Sequence, residues 1–216
     1  MVKLADLGFC KSTVFETIVS TYTKDGNLNA APMGIIMQDE RQLIINLFNS
    51  SLTYKNLQAN KSAVINLTSN IELFYKTAFK ETNPNGTLPQ EWFEKAETVN
   101  APKLKFADAT IEITVNELTP LSNAKTRALC NVKLVQSSKA YPQAYCRAMS
   151  AAVEAIIHAT RVKALIRDEQ EQGHVAKLLE LIQNCNDVVN RVAKKSQYSE
   201  IMVDLLRRIN LWRAKT

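Results

Sequence analysis

The chain has 216 residues, 46% of them hydrophobic, and carries a formal net charge of +6; that length buries a full core in one domain with an appendage, or in two small domains, without disulfide staples. Its four cysteines, Cys10, Cys130, Cys146 and Cys185, are scattered with no CxxC pair, which argues against a zinc ribbon, a thioredoxin motif and a secreted disulfide scaffold. No apolar run approaches the roughly 18 residues of a membrane span, and the opening MVKLADLGFCKS has too short an apolar core for a signal peptide, so a soluble cytoplasmic protein with no membrane partner is expected.

The first third has a strand rhythm. Residues 13–23 (TVFETIVSTYT) are rich in β-branched and aromatic side chains, Lys24-Asp25-Gly26-Asn27 supplies a turn, and residues 28–37 resume an extended pattern, which together predict a hairpin. Residues 41–48 (RQLIINLF) and 62–68 (SAVINLT) read as a third and a fourth strand. Between them residues 52–60 (LTYKNLQAN) are long enough for about two helical turns, anchored by Leu52 and Leu57. Residues 70–79 (NIELFYKTAF) predict a short helix capped by Asn70, with Ile71, Leu73, Phe74 and Ala78 buried.

Residues 81–105 contain Pro84, Gly86, Pro89 and Pro102, and predict an irregular surface excursion around one helical turn at 90–97. Two more strands follow at 109–118 and 126–135; in the first, Ile111, Ile113 and Val115 alternate with Glu112, Thr114 and Asn116, which implies one buried face. From Pro142 onward the period becomes helical: Ala144, Ala148, Met149, Ala152, Ile156 and Ala159 recur at spacings of three and four, and residues 175–192 and 201–212 give two further amphipathic helices. About six strands followed by about three helices make an α+β protein, with a β-rich domain over residues 1–138 and a C-terminal helical segment over 139–216 packed on it or on a dimer.

The positive charge raises the question of nucleic acid, whose phosphates reward clustered Lys and Arg. Here the densest group, Lys194, Lys195, Arg207, Arg208, Arg213 and Lys215, lies among acids and leucines on the last helical segment, which reads as a solvated helix face and not as a nucleic-acid partner surface. The two histidines, His158 and His174, fall in the helical tail; neither a catalytic triad nor a zinc-ligand spacing is present, so no metal is assigned. Five glycines make neither GxGxxG nor a phosphate-binding loop.

Two segments stand out. Residues 49–56 (NSSLTYKN) bring hydroxyls, a helix start and one lysine together, the ingredients of an anion cradle and equally those of an ordinary capped helix. Residues 29–35 (NAAPMGI) place Pro32 and Gly34 inside a strand, which suits either an edge strand with a bulge or a strand whose main chain faces a planar ligand.

Together these segments resemble the FMN-binding split-barrel superfamily, and within it the small flavoproteins of unassigned function found mainly in archaea and in organisms with methanopterin-linked one-carbon metabolism. The matching blocks are ETIVSTYTKDGNLNAAPMGI, then LTYKNLQAN followed by AVINLTSNIELFYKTAF, and AVEAIIHATR at 152–161. The resemblance implies an FMN-binding split β-barrel with a C-terminal helical segment, assembled as a homodimer in which each FMN is shared by two chains. It places the phosphate on Ser50, Thr53, Lys55 and Asn56, lays the isoalloxazine along Ala31, Pro32, Met33, Gly34 and Ile35, and sets Tyr54 at its flank. Asn49-Ser50-Ser51 departs from the basic stretch expected before the Thr-Tyr-Lys-Asn run, so Lys55 carries more of the cationic role. Arg161 is the candidate second cation, with a structural ion pair as its alternative. The implied function is an FMN-dependent oxidoreductase or electron-transfer protein whose substrate or redox partner the sequence leaves open; the alternative is a flavin-carrying accessory protein of one-carbon, methanopterin-linked metabolism without turnover of its own.

Overall fold

The computed structural model describes residues 2–9, 11, 14–138 and 147–214. The strand-forming residues pair as β1 (Val14–Tyr22), β2 (Leu28–Asp39), β3 (Gln42–Phe48) and β4 (Ser62–Leu67), with α1 (Leu52–Asn60) between β3 and β4. Gly26, at φ 80°, makes the β1–β2 turn that a side chain would strain. The chain continues through α2 (Ile71–Ala78), β5 (Phe93–Lys95), β6 (Pro102–Leu104), β7 (Ala109–Pro120) and β8 (Lys125–Ser137), then α3 (Arg147–Leu165), α4 (Gln172–Val192) and α5 (Gln197–Ala214). Six strands close an antiparallel barrel in the order β1-β2-β3-β8-β7-β4, and β5 pairs with β6 as a separate ribbon.

Every second residue of the barrel strands points inward. Val19, Ile35, Ile45, Ile65, Ile111 and Ile113 have no exposed surface and form its core. The chain divides into two compact units: residues 1–69 with 79–142 make the barrel, and residues 70–78 with 143–216 make a helical unit, so α2 belongs with the later helices.

The sequence pattern needs correction in three places. Residues 81–105 carry the β5–β6 ribbon, and the helical turn expected at 90–97 shrinks to a single 3-10 turn at Gln90–Trp92. On β7, Glu112 is as fully buried as its isoleucine neighbours. Its carboxylate accepts the amides of Glu97 at 2.8 Å and Thr98 at 2.6 Å and the Thr98 hydroxyl at 2.5 Å. A buried carboxylate is tolerable with that many donors, so β7 is covered on both faces from Ala109 to Ile113 and opens to solvent beyond. In α2, Tyr75 and Thr77 are buried where Ala78 was expected to be; Asn70 does cap the helix, accepting the Glu72 amide at 2.9 Å.

In the helical unit, Ala148, Ala152, Ala155 and Ala159 of α3 are fully buried, and such small side chains allow close packing on α4 and α5. Pro142 and Ala144 lie outside the described residues. Part of the basic group on the last helix is not simply solvated. Arg208 Nε donates to the Tyr75 hydroxyl and to Asp204 Oδ2, both at 2.8 Å, Tyr75 donates to the same carboxylate oxygen, and Arg207 reaches Asp204 Oδ1 at 2.5 Å. Burial alone would raise the Asp204 carboxyl, but these donors carry it down to about 2. Burial and the carboxylate together push the Tyr75 hydroxyl well above its usual range.

Candidate functional site

β2 pairs with β1 along its whole length, from Leu28 opposite Tyr22 to Ile36 opposite Val14. Its other side pairs with β3 only from Ile35 onward. Beyond that point β3 continues against β8, with Asn46, Leu47 and Phe48 opposite Arg127, Thr126 and Lys125. The two strands therefore splay apart, and no described strand pairs with the far side of residues 28–34. That open half-strand is where Pro32 and Gly34 sit, residues a two-sided ladder does not favour. It is an edge left unpaired on one side within the barrel, and the β2 register shift lies further on, between Met37 and Asp39.

The side chains of this half alternate. Ile35 points into the core and is fully buried, so only its main chain is available to a ligand. Met33 packs partly on the same core, and the Thr17 hydroxyl donates to its carbonyl at 3.2 Å. Ala31, Pro32 and Gly34 are half-buried. The room beside Gly34 is taken: a Cβ there would come within 2.6 Å of Val14 Cγ1, so the missing side chain makes space for β1, not for an open cleft.

Beyond the splay stands the first turn of α1. Ser51 caps it, its hydroxyl accepting the Tyr54 amide at 3.2 Å. The Lys55 amide bonds to the Ser51 carbonyl at 3.3 Å, while the amides of Leu52 and Thr53 find no acceptor among the described residues. Such free amides, with the helix dipole behind them, favour an anion. Ser50 and Lys55 are exposed beside them, and Tyr54 is half-buried against the barrel core.

Thr53 and Asn56 turn the other way. At 1% and 3% exposure, they seat α1 on the barrel. The Asn29 amide donates to Thr21 Oγ1 at 3.1 Å and to Thr53 Oγ1 at 3.3 Å, and the Asn56 amide donates to Thr21 Oγ1 at 2.9 Å. Lys80, on the turn that returns the chain to the barrel, donates to Asn29 Oδ1. Burial holds the Lys80 ammonium below its usual range. Sequence reasoning missed Lys80 and Asn29; the available signal was a lysine directly behind an apolar helix. Arg161 is exposed on α3, in the helical unit. On the same helix, burial lowers the half-buried His158, opposed by Glu154 at 3.7 Å.

Residues 15–141 match the family described as a protein of unknown function (DUF447), N-terminal domain. The chain belongs to that family. A DUF447 structure, an FMN-bound protein from Methanosarcina mazei, superposes with a TM-score of 0.75 at 23% identity, covering 95% of this chain and 99% of that one. Nitrilotriacetate monooxygenase component B from Bacillus cereus superposes with a TM-score of 0.50 at 18% identity, over 65% of this chain and 79% of its own. No curated protein matches the sequence. The DUF447 chain thus has the fold of the FMN-binding barrels, as the resemblance implied. Among the described residues, no helix is long and apolar enough to cross a membrane.

Proposed function

We propose that this chain binds FMN and acts as a cytoplasmic oxidoreductase or electron-transfer protein, working as a homodimer. The observation that supports this reading best is the open half of β2 beside the first turn of α1, with small side chains on the strand and two helix-start amides that have no acceptor among the described residues. The FMN bound to the Methanosarcina relative, which shares this architecture end to end, supports it further.

The residues present fit the cofactor. The Leu52 and Thr53 amides, the Ser50 hydroxyl and the Lys55 ammonium would hold the phosphate. Ala31, Pro32, Met33 and Gly34, with the main chain of Ile35, would lie along the isoalloxazine, and Tyr54 would flank it. The side chains of Thr53 and Asn56 act one step back, fixing the helix whose amides do the binding. FMN, when bound, supplies the redox capacity, so the chain needs no acid or base of its own and instead positions the ring and shields it from water.

The test is direct. Freshly purified protein is expected to be yellow and to release FMN, not FAD, on denaturation, and light scattering of the loaded protein is expected to give about twice the 24.2 kDa chain mass. Colourless protein that fails to bind added FMN overturns the reading.

A further inference from the structure

The polar cluster beneath α1 contains only neutral side chains and one cation. Asn29, Thr21, Thr53 and Asn56 are buried, and Lys80 reaches them through Asn29 Oδ1. No carboxylate among the described residues pairs with the Lys80 ammonium; Glu81, exposed at the next position, is the acid that acts on it and lies beyond ion-pair distance. Among the described residues, the ammonium has one acceptor, Asn29 Oδ1. Further donor capacity is left over among the described residues: the Thr53 hydroxyl proton, the Leu52 and Thr53 amides, and the buried Thr82 hydroxyl on the same turn as Lys80, which has no partner there. A half-buried ammonium normally finds a counter-charge, because desolvation without one is costly. The ammonium and the two amides can only donate, the two hydroxyls are able to donate, and donors gathered around a cation suit an anion.

We infer that Lys80 supplies the second positive charge of the phosphate cradle, and that its counter-ion is the phosphomonoester of the flavin. This rests on the FMN reading above. In it Lys80 complements Lys55: Lys55 meets the anion from the exposed face of α1, and Lys80 meets it from beneath, held in place by Asn29. Asn29 is a positioning residue, since its amide oxygen fixes the ammonium while its amide nitrogen fixes Thr53.

The experiment compares FMN with riboflavin, which lacks the phosphate. Flavin-fluorescence titrations of stripped wild-type, Lys80→Met and Lys80→Arg protein are expected to show the FMN-to-riboflavin affinity ratio falling about 10- to 100-fold in Lys80→Met and largely restored in Lys80→Arg, with riboflavin affinity hardly moved. On the wild-type protein, reductive methylation followed peptide by peptide is expected to find Lys80 better protected by FMN than by riboflavin, a measurement that holds even where the Met variant fails to fold. Wild-type protein that binds FMN, with a ratio unchanged in Lys80→Met or with equal protection by the two flavins, overturns the role of Lys80 and leaves the FMN reading standing. Wild-type protein that binds neither flavin removes both.

Discussion

Two polar clusters, one in each unit, use much the same vocabulary and end differently. In the helical unit, Tyr75, Arg207 and Arg208 converge on the Asp204 carboxylate, which accepts from all three. In the barrel, Lys80 and a set of amides and hydroxyls converge on one another, with no acid among them. The first cluster gives its guanidinium and phenol donors a carboxylate to meet and ties α2 to α5. The second leaves positive charge and donors open, which is unprofitable for folding and useful for holding an anion. A network whose donors converge on an acid reads as architecture, whereas one that gathers donors around a cation with no acid reads as half of a complex.

The largest expected effect comes from removing the closing charge. Asp204→Ala strands Arg208 and the buried Tyr75 hydroxyl without their acceptor, and urea unfolding at neutral pH is expected to show a loss of about 3 kcal/mol. A loss below about 0.5 kcal/mol would make the cluster an ordinary surface arrangement.

The next effect is a pH dependence. Because the folded Asp204 carboxyl titrates at about 2, below its ordinary value of 3.8, its contribution is fully present above about pH 5 and is lost as the pH falls through the range between those two values. The side chain keeps 30% exposure, so solvent screening reduces that contribution to about 1 kcal/mol. The stability gap between wild type and Asp204→Asn is expected to narrow by that amount between pH 5 and pH 2. A gap that stays constant over this range contradicts the assignment.

The smallest effect sharpens the contrast most. In ligand-free protein, Lys80→Met loses the bond to Asn29 but also discards an uncompensated charge, so thermal and urea unfolding are expected to place it within about 1 kcal/mol of wild type. A loss as large as that of Asp204→Ala would show that the barrel cluster, too, is mainly structural.

How far the sequence could reveal this depended on the distance over which each feature is encoded. The β1–β2 hairpin, α1 and the late helices carry their period within ten or twenty residues, and alternation or three-four spacing was enough to find them. The β5–β6 ribbon has three residues in each strand, too few to show any period. Glu112 was placed outward because alternation assigns one face to solvent, and only the fold brings Glu97 and Thr98 over it. The same limit governs the site. Ser50 to Asn56 were visible as a local polar run before a helix, though nothing in the run showed that the Thr53 and Asn56 side chains face inward. Lys80 lies 51 residues from Asn29 and belongs to no local pattern. The splay of β2 from β3 was signalled only by Pro32 and Gly34, whose presence marked an irregularity without saying which side was open.

The detour through α2 bears on how the protein is made. The chain leaves the barrel after Ser69, lays down α2 in the helical unit and returns at Phe79, while the other helices of that unit begin at Arg147. At ordinary ribosomal speeds of about 5–20 residues per second, the roughly 70 residues between α2 and α3 take about 4–15 seconds to emerge. For that time the apolar face carrying Ile71, Leu73 and Phe74 lacks α3 and α5, the helices it packs with, and a holding chaperone could bind it. A polypeptide that stops short of α3 can complete all the strands of its barrel while α2 still lacks the helices it packs with.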